Sequence, residues 1–330
     1  MKLAEISSDR FNDLVVSEPN VTFYQTSNWA DYKSLDGLEP LFLGYVDEHD
    51  VYSALGMFLI KESKSLFKKS YSLMCPYGFL TNYYDFDLLE SFIRDLISYM
   101  KNNGYVSLTI NPNIAKEGNG YVKDVLLKLG FAKTDSTYCF NCYDISQEPI
   151  MMEDDIIFNT KELLDDVSDF SRIMNDGVDY ASLYETMKPY IHFFVTELSA
   201  EETISKLKNS ILELKKYISV HEEDFAAIEE VESKRKLLEE KEHALEEASR
   251  IASESINPVL GGSCLVTFGK SAIELASLTN NNFKIGDIDE QLYISNIRFL
   301  QPLGYRSMYS SKEGKESAKI ELLGEFTFTI

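Results

Sequence analysis

Residues 199–220 read SAEETISKLKNSILELKKYISV, and this stretch decides how the rest of the chain is divided. Ile204, Leu207, Ile211, Leu214 and Ile218 recur at alternating steps of three and four, which puts them on one narrow stripe of a helix. A second segment continues the pattern: Val231, Leu238, Leu245 and Ala252 fall seven apart, with Ala248 between the last two. Lys234 and Lys241 hold the other seam positions, so this side is less apolar. Val220-His221-Glu222-Glu223-Asp224 is polar enough to turn the chain between the two. The remaining positions are mainly Glu and Lys, suited to a solvated face. The pattern predicts two helices of roughly 20–28 residues, about 30–40 Å long at 1.5 Å per residue. Similar lengths joined by a short polar turn favour an antiparallel hairpin within one chain over a dimerisation coil. The span 199–254 is thus read as an arm that interrupts a folded domain.

The chain has 330 residues, enough for two ordinary domains besides the arm. Its net charge of −22 argues against broad electrostatic capture of nucleic acid or anionic lipid. Lys64, Lys68 and Lys69 form the densest basic cluster, too small for a nucleic-acid footprint. Met1-Lys2-Leu3-Ala4-Glu5 lacks the apolar core of a signal peptide, and no run approaches the roughly 18–20 apolar residues of a membrane span. A cytoplasmic protein is expected, with Cys75, Cys139, Cys142 and Cys264 reduced. Cys139 and Cys142 have C-x-x-C spacing but no second pair, and the four histidines are scattered, so no metal site is expected.

Residues 1–150 alternate strand and helix. Helices are expected at Ser8–Val16 and from Ser27, and strands at Leu41–Val46, Val51–Ile60 and Tyr71–Met74. Leu88, Leu89, Phe92, Leu96, Ile97 and Met100 make Asp87–Asn102 an amphipathic helix. Tyr105–Ile110 reads as a buried strand, Tyr121–Leu129 as a helix closed by Gly130, and Phe131–Tyr143 as a further strand region. After an acidic join at Met152-Glu153-Asp154-Asp155, a strand start is expected at Ile156–Phe158. Helices follow at Leu163–Met174 and Leu183–Met187, and a strand at Ile191–Thr196. Beyond the arm, Gly261-Gly262 reads as a turn. Strands at Ser263–Phe268 and Ile273–Leu278 and a helix at Ile288–Leu300 come next, and no strand is read between Ser311 and Leu322. Gly104-Tyr105 and Gly304-Tyr305 occupy corresponding places in the two halves, a sign of an internal repeat.

Several of these features together resemble the FemABX peptidoglycan-bridge aminoacyltransferases, whose relatives include MurM and MurN. They are Phe23-Tyr24-Gln25-Thr26-Ser27-Asn28-Trp29 with Lys33; Tyr71-Ser72-Leu73-Met74-Cys75-Pro76, at the family's tyrosine-to-Gly-Pro segment; and Leu108-Thr109-Ile110-Asn111-Pro112, at a strand ending in Asp-Pro. Leu129-Gly130-Phe131, the arm, Leu303-Gly304-Tyr305 and Gly324-Glu325-Phe326 complete the series. The resemblance implies an α/β (α+β) fold of two acetyltransferase-like (GNAT) domains: 1–148, then 149–198 with 255–330, the second interrupted by the coiled-coil hairpin 199–254. It implies transfer of an amino acid from aminoacyl-tRNA, the co-substrate, to the stem peptide of lipid II or its UDP-linked form, with no bound metal or nucleotide cofactor. Lys33 matches a lysine that holds precursor phosphate, and Trp29, Lys69 and Tyr71 join it as implied substrate-binding residues. No catalytic residue is assigned. The resemblance also leaves room for a protein partner on the arm and for peripheral placement at the inner membrane face.

The chain departs from the family pattern in its cations. Met74 and Cys75 stand where a basic residue and a glycine are expected, and Ala181 or Ser182 where a second phosphate-binding arginine falls. The acidic join replaces a basic helix. These losses keep a second reading open, a non-catalytic binding protein on the same scaffold. The glycine-rich loop that holds acetyl-CoA in true acetyltransferases is absent.

Overall fold

The computed structural model describes residues 1–18, 21–64, 69–147, 155–223, 228–254, 258–312 and 317–330. Pro19-Asn20, Lys68, most of the acidic join (152–154) and Lys315 lie outside these. The first half runs β1 (Lys2–Glu5), α1 (Ser8–Val15), α2 (Ser27–Ser34), β2 (Glu39–Val46), β3 (Tyr52–Lys64), β4 (Lys69–Cys75), β5 (Leu80–Thr81), α3 (Phe86–Asn102), β6 (Tyr105–Ile110), α4 (Gly120–Lys128), β7 (Ala132–Lys133) and β8 (Cys139–Asp144). The second runs β9 (Phe158–Leu163), α5 (Ser168–Met174), α6 (Tyr180–Met187), β10 (Ile191–Leu198), α7 (Ala200–His221), α8 (Ile228–Glu254), β11 (Val259–Phe268), β12 (Ser271–Thr279), α9 (Ile288–Leu300), β13 (Ser307–Ser310), β14 (Ser317–Glu321) and β15 (Phe326–Thr329).

Two sheets result, and their strand orders correspond place by place. The first is β1-β2-β3-β4-β6-β15-β7, with β5 also on β3; the second, read in the same sense, is β9-β10-β11-β12-β13-β8-β14. Each has a parallel pair, β4 with β6 and β12 with β13, and its other described pairs are antiparallel. One long helix crosses over each parallel pair. Asp85 caps α3 through the Leu88 amide, and Asp287 caps α9 through the Glu290 amide. Gly104 and Gly304 follow these helices with left-handed backbones, so the internal repeat expected from the Gly-Tyr pairs is present in the topology.

The sixth strand of each sheet comes from the other half. β15 pairs with β6 (Phe326 opposite Ile110) and β7, while β8 pairs with β13 (Tyr143 opposite Met308) and β14. Two expectations are corrected here. Phe131–Tyr143 is two strands in two sheets, parted where the Thr134 amide bonds to the Glu325 carbonyl at 2.9 Å and the Ser136 amide turns back on the Thr134 hydroxyl. A division at residue 148 does not separate the sheets, because β8 and β15 lie on the wrong sides of it.

Other expectations shift locally. Residues 158–163 form a strand, registered on β10 and tied by the Thr160–Thr196 hydroxyl contact, so the helix expected from Leu163 begins at Ser168. Gly261-Gly262 is no turn: both are buried in β11. A Cβ at Gly261 would stand 2.8 Å from Ile288 and one at Gly262 2.9 Å from Phe170, so glycine lets α9 and α5 press onto the strand. Ser317–Glu321 is a strand after all, held by its partner β8.

The arm rises between β10 and β11, where the first lobe has only the tight turn from β2 to β3. Leu207, Ile211 and Leu214 of α7 and Val231 and Ala248 of α8 are buried in an antiparallel hairpin of this one chain. Lys215–Glu242 (2.7 Å) and Arg235–Glu222 (2.6 Å) tie its flanks. At its root the seam passes to Ile251, buried against Leu260, Ile285 and Ile288, while Ala252 is exposed. The stripe there meets the lobe as well as α7. Residues 224–227, at the expected turn, lie outside the described set. The lobes themselves share one core, in which Phe11, Phe23 and Met57 pack with Phe170, Phe193 and Cys264.

Candidate active site

In open α/β sheets ligands are bound at the carboxyl ends of the strands. The parallel pair of the first sheet ends at Cys75 opposite Ile110. Residues 76–79 then leave the sheet, and β5 rejoins β3 at Leu80. Two amides hold this excursion. Gln25, fully buried, accepts from the Met57 amide at 2.8 Å and donates to the Pro76 carbonyl at 2.5 Å. Asn111 Oδ1 accepts from the Tyr77 amide at 2.8 Å. Gly78 follows, where a Cβ would lie 2.5 Å from Cys75 Sγ. Three segments that were far apart in the sequence, around Gln25, Cys75-Pro76 and Asn111, meet at this point.

Tyr77 is the hub. Its ring stacks on Tyr24 at 4.3 Å and meets Phe140 at 5.8 Å and the edge of Tyr138 at 6.3 Å. Tyr24 stands edge-on to Trp29 at 4.9 Å. Glu325, from the closing Gly-Glu-Phe, accepts from Tyr138 Oη at 2.9 Å and Thr134 Oγ1 at 3.1 Å. It thereby clamps the two crossover segments beside the hub. Burial, with help from Tyr138, pushes the Tyr77 hydroxyl up to about 12. Burial also raises Tyr24, and burial plus the Glu325 carboxylate raises Tyr138. At neutral pH the hub is therefore an uncharged aromatic floor with hydroxyl and amide donors.

Of the four residues singled out in the sequence, the structure brings two together. Lys33 Nζ lies 5.2 Å from the Trp29 ring and 5.0 Å from Tyr32, and pairs with Asp36 at 2.7 Å. Asn28, on the same helix, donates to the Thr186 carbonyl of α6 at 2.9 Å, which fixes α2 against the second lobe. Facing it, Asp179 caps α6 through Ser182, and the carboxylates of Asp176 and Asp179 act on Tyr32. Lys69 and Tyr71 are elsewhere. Both are exposed at the amino end of β4, where Lys69 pairs with Glu62 at 2.9 Å. Tyr71 is six residues from Tyr77, about 20 Å along an extended strand. The β3–β4 hairpin runs in the opposite direction from the hub, so these two are removed from the candidate site.

The residues missed were Tyr138 and the supporting roles of Gln25 and Asn111. Tyr138 carries no sequence signal, because its place depends on the chain leaving one sheet for the other. Among the described residues no group of three or more His, Cys, Asp or Glu is placed to hold a metal ion. A groove of about 460 Å³ between α8 and the second lobe, lined by Ile156, Glu239, His243 and Lys284 among others, shares no residue with the hub.

Residues 6–121, which include Gln25, Lys33, Tyr77 and Asn111, match the model of the FemAB family. That stretch of the chain is similar to the FemAB family. Among solved structures, the crystal structure of FemX superposes with a TM-score of 0.71 at 15% identity, covering 100% of this chain and 98% of that one. A tandem GNAT protein from the clavulanic acid biosynthesis pathway follows at 0.52 and 7% identity, covering 99% and 98%. Both likenesses carry the paired-lobe fold over the whole chain. No curated protein is significantly similar in sequence. Among the described residues no helix is long and apolar enough to cross a membrane.

Proposed function

We propose that this chain is an aminoacyltransferase that moves an amino acid from aminoacyl-tRNA to the stem peptide of a peptidoglycan precursor. The observation that carries the reading is the convergence on Tyr77: Gln25, Pro76 and Asn111 lock its backbone, Tyr24, Tyr138 and Phe140 meet its ring, and Trp29 and Glu325 bind Tyr24 and Tyr138 in turn. Most of these residues come from the segments that carry the family resemblance, and the family match over residues 6–121 supports the same assignment. A primary amine of the stem peptide attacks the ester carbonyl. The C–N bond forms, the ester C–O bond breaks, and the ribose oxygen leaves with the proton the amine gives up. Aminolysis of an ester is downhill, so the protein's part is alignment and stabilisation of the oxyanion, with no cofactor. Lys33 on the Trp29 shelf is the proposed anchor for precursor phosphate, exchanging Asp36 for the ligand.

Labelled aminoacyl-tRNA incubated with a UDP-linked muropeptide tests the reading; label is expected in the peptide. No transfer, with muropeptide binding retained, would make the chain a binding protein on this scaffold. That second reading has one observation in its favour, the carboxylates of Asp36, Asp176 and Asp179 around α2. Lys33→Ala is expected to weaken muropeptide binding about tenfold at low salt without changing the melting temperature; unchanged affinity removes Lys33 from the site.

A further inference from the structure

The groove of about 460 Å³ beside α8 is floored by Ile156 and Ala244, which pack on the core that joins the arm to the second lobe. Two polar clasps fix its walls. On one side Lys241 pairs with Asp155, and Asp155 also bonds to Ser210 of α7, so the segment entering β9 is held against the arm. On the other, the Glu247 carboxylate accepts from Arg250 at 2.6 Å and from the Lys284 amide at 3.1 Å, and Arg250 donates to the Asn282 carbonyl at 3.0 Å. The groove is therefore formed before any partner arrives. Its lips, Glu239, Glu240, His243 and Lys284, are exposed, which makes it an open trough. A pocket for a small molecule buries most of its ligand, and this one would leave it largely uncovered. A segment of a larger partner fits the shape better.

The charge of α8 selects the partner. Most of its cations are engaged by the protein itself: Lys234 lies over Tyr217 at 5.6 Å, Arg235 pairs with Glu222, Lys241 with Asp155 and Arg250 with Glu247. Glu229, Glu232, Glu239, Glu240 and Glu246 have no ion pair or hydrogen bond among the described residues. Lys236 on the helix and Lys284 across the groove are the cations left to set against them. We propose that this groove docks a segment of a partner protein that carries an apolar anchor flanked by Lys or Arg, the anchor lying on Ile156 and Ala244 and the cations meeting Glu239 and Glu240. Nucleic acid and a second copy fit worse, because the carboxylates on the lip repel phosphate and each copy carries a net charge of −22. The inference stands apart from the transfer reading, since groove and hub share no residue.

Fluorescence anisotropy on the full chain tests it, with a labelled peptide in which a pair of leucines is flanked on each side by lysines. Matching peptides carry serine for leucine or glutamate for lysine. The lysine–leucine peptide should bind saturably, and the other two about tenfold more weakly or less tightly still. Glu239→Lys combined with Glu240→Lys should weaken the first peptide about tenfold. Glu117→Lys combined with Asp124→Lys, at exposed positions of the first lobe, changes the net charge equally and should alter the affinity by less than about twofold. Equal weakening by the two variants, or equal binding of the serine peptide, would reduce the effect to general attraction by an acidic chain and overturn the inference. Absence of saturable binding up to about 1 mM would do the same. Preference for the glutamate peptide would assign the groove to an anionic partner. A dimer in sedimentation equilibrium that Glu239→Lys with Glu240→Lys abolishes would give it to a second copy. Either result overturns the inference and leaves the transfer reading untouched.

Discussion

The two lobes are built on one strand order, yet the ends of their parallel pairs differ. In the first, the last register pair is Cys75 opposite Ile110, and beyond it the strands part around Asn111 and Tyr77. In the second, the equivalent pair is Glu274 opposite Ser310. There a buried carboxylate fills the space. Glu274 accepts from Ser310 Oγ at 2.6 Å and from Asn296 Nδ2 at 3.1 Å, and Asn296 accepts from Ser263 Oγ at 2.8 Å. Each donor in that network is spent on the protein itself. The repeated strand order thus ends in parted strands in one lobe and in a closed polar network in the other. The closed lobe carries the arm instead.

The exchange of β8 and β15 makes a stronger statement, that the lobes are one cooperative unit. Phe326 is fully buried at the centre of the exchange, so Phe326→Ala is expected to cost about 3–5 kcal/mol. Urea unfolding followed by Trp29 fluorescence, which reports the first lobe, and by far-ultraviolet circular dichroism, which reports helices of both lobes and the arm, should shift together. Two separated transitions would break the comparison and make the lobes independent. Gly262→Ala tests the second lobe alone. Its new methyl would meet Phe170 and the Phe194 carbonyl at about 3 Å, and the backbone oxygen cannot swing aside. A loss of about 1–3 kcal/mol is expected, with the hub and muropeptide binding unaffected.

The smallest effect concerns Glu274. Burial raises its carboxyl above the ordinary 4.5, against the pull of Ser310 and Lys312. The folded protein therefore binds this proton more readily than the unfolded chain, and its contribution to stability falls as pH rises above that value. Glu274→Gln removes the titration. The stability of wild type relative to the variant should decline on going upward from about pH 4.5, measured as urea midpoints. A rise would mean that the network holds the carboxylate in its charged form more tightly than burial opposes it.

The sequence made the arm and the long helices legible because periodicity is local. The stripe Ile204 to Ile218 and the set Leu88 to Met100 each need only their own neighbours. Motif-bearing segments around Gln25 and Asn111 were also readable, although not the bond each makes. Lys69 and Tyr71 misled because they precede the site on the same strand, and extended backbone carries them about 20 Å away. Gly261-Gly262 misled because glycine marks close approach as often as it marks a turn. Tyr138 was beyond reach, since its neighbours are chosen by strand exchange and no local pattern encodes that.

The same exchange has a consequence for how the protein is made. β6 leaves the ribosome long before its partner, which arrives more than 200 residues later at Phe326. Until then the amino-terminal lobe lacks its sixth strand, and the exposed edge of β6 can pair with any extended segment nearby. A growing chain must wait, shielded or at risk of tangling, for its own tail.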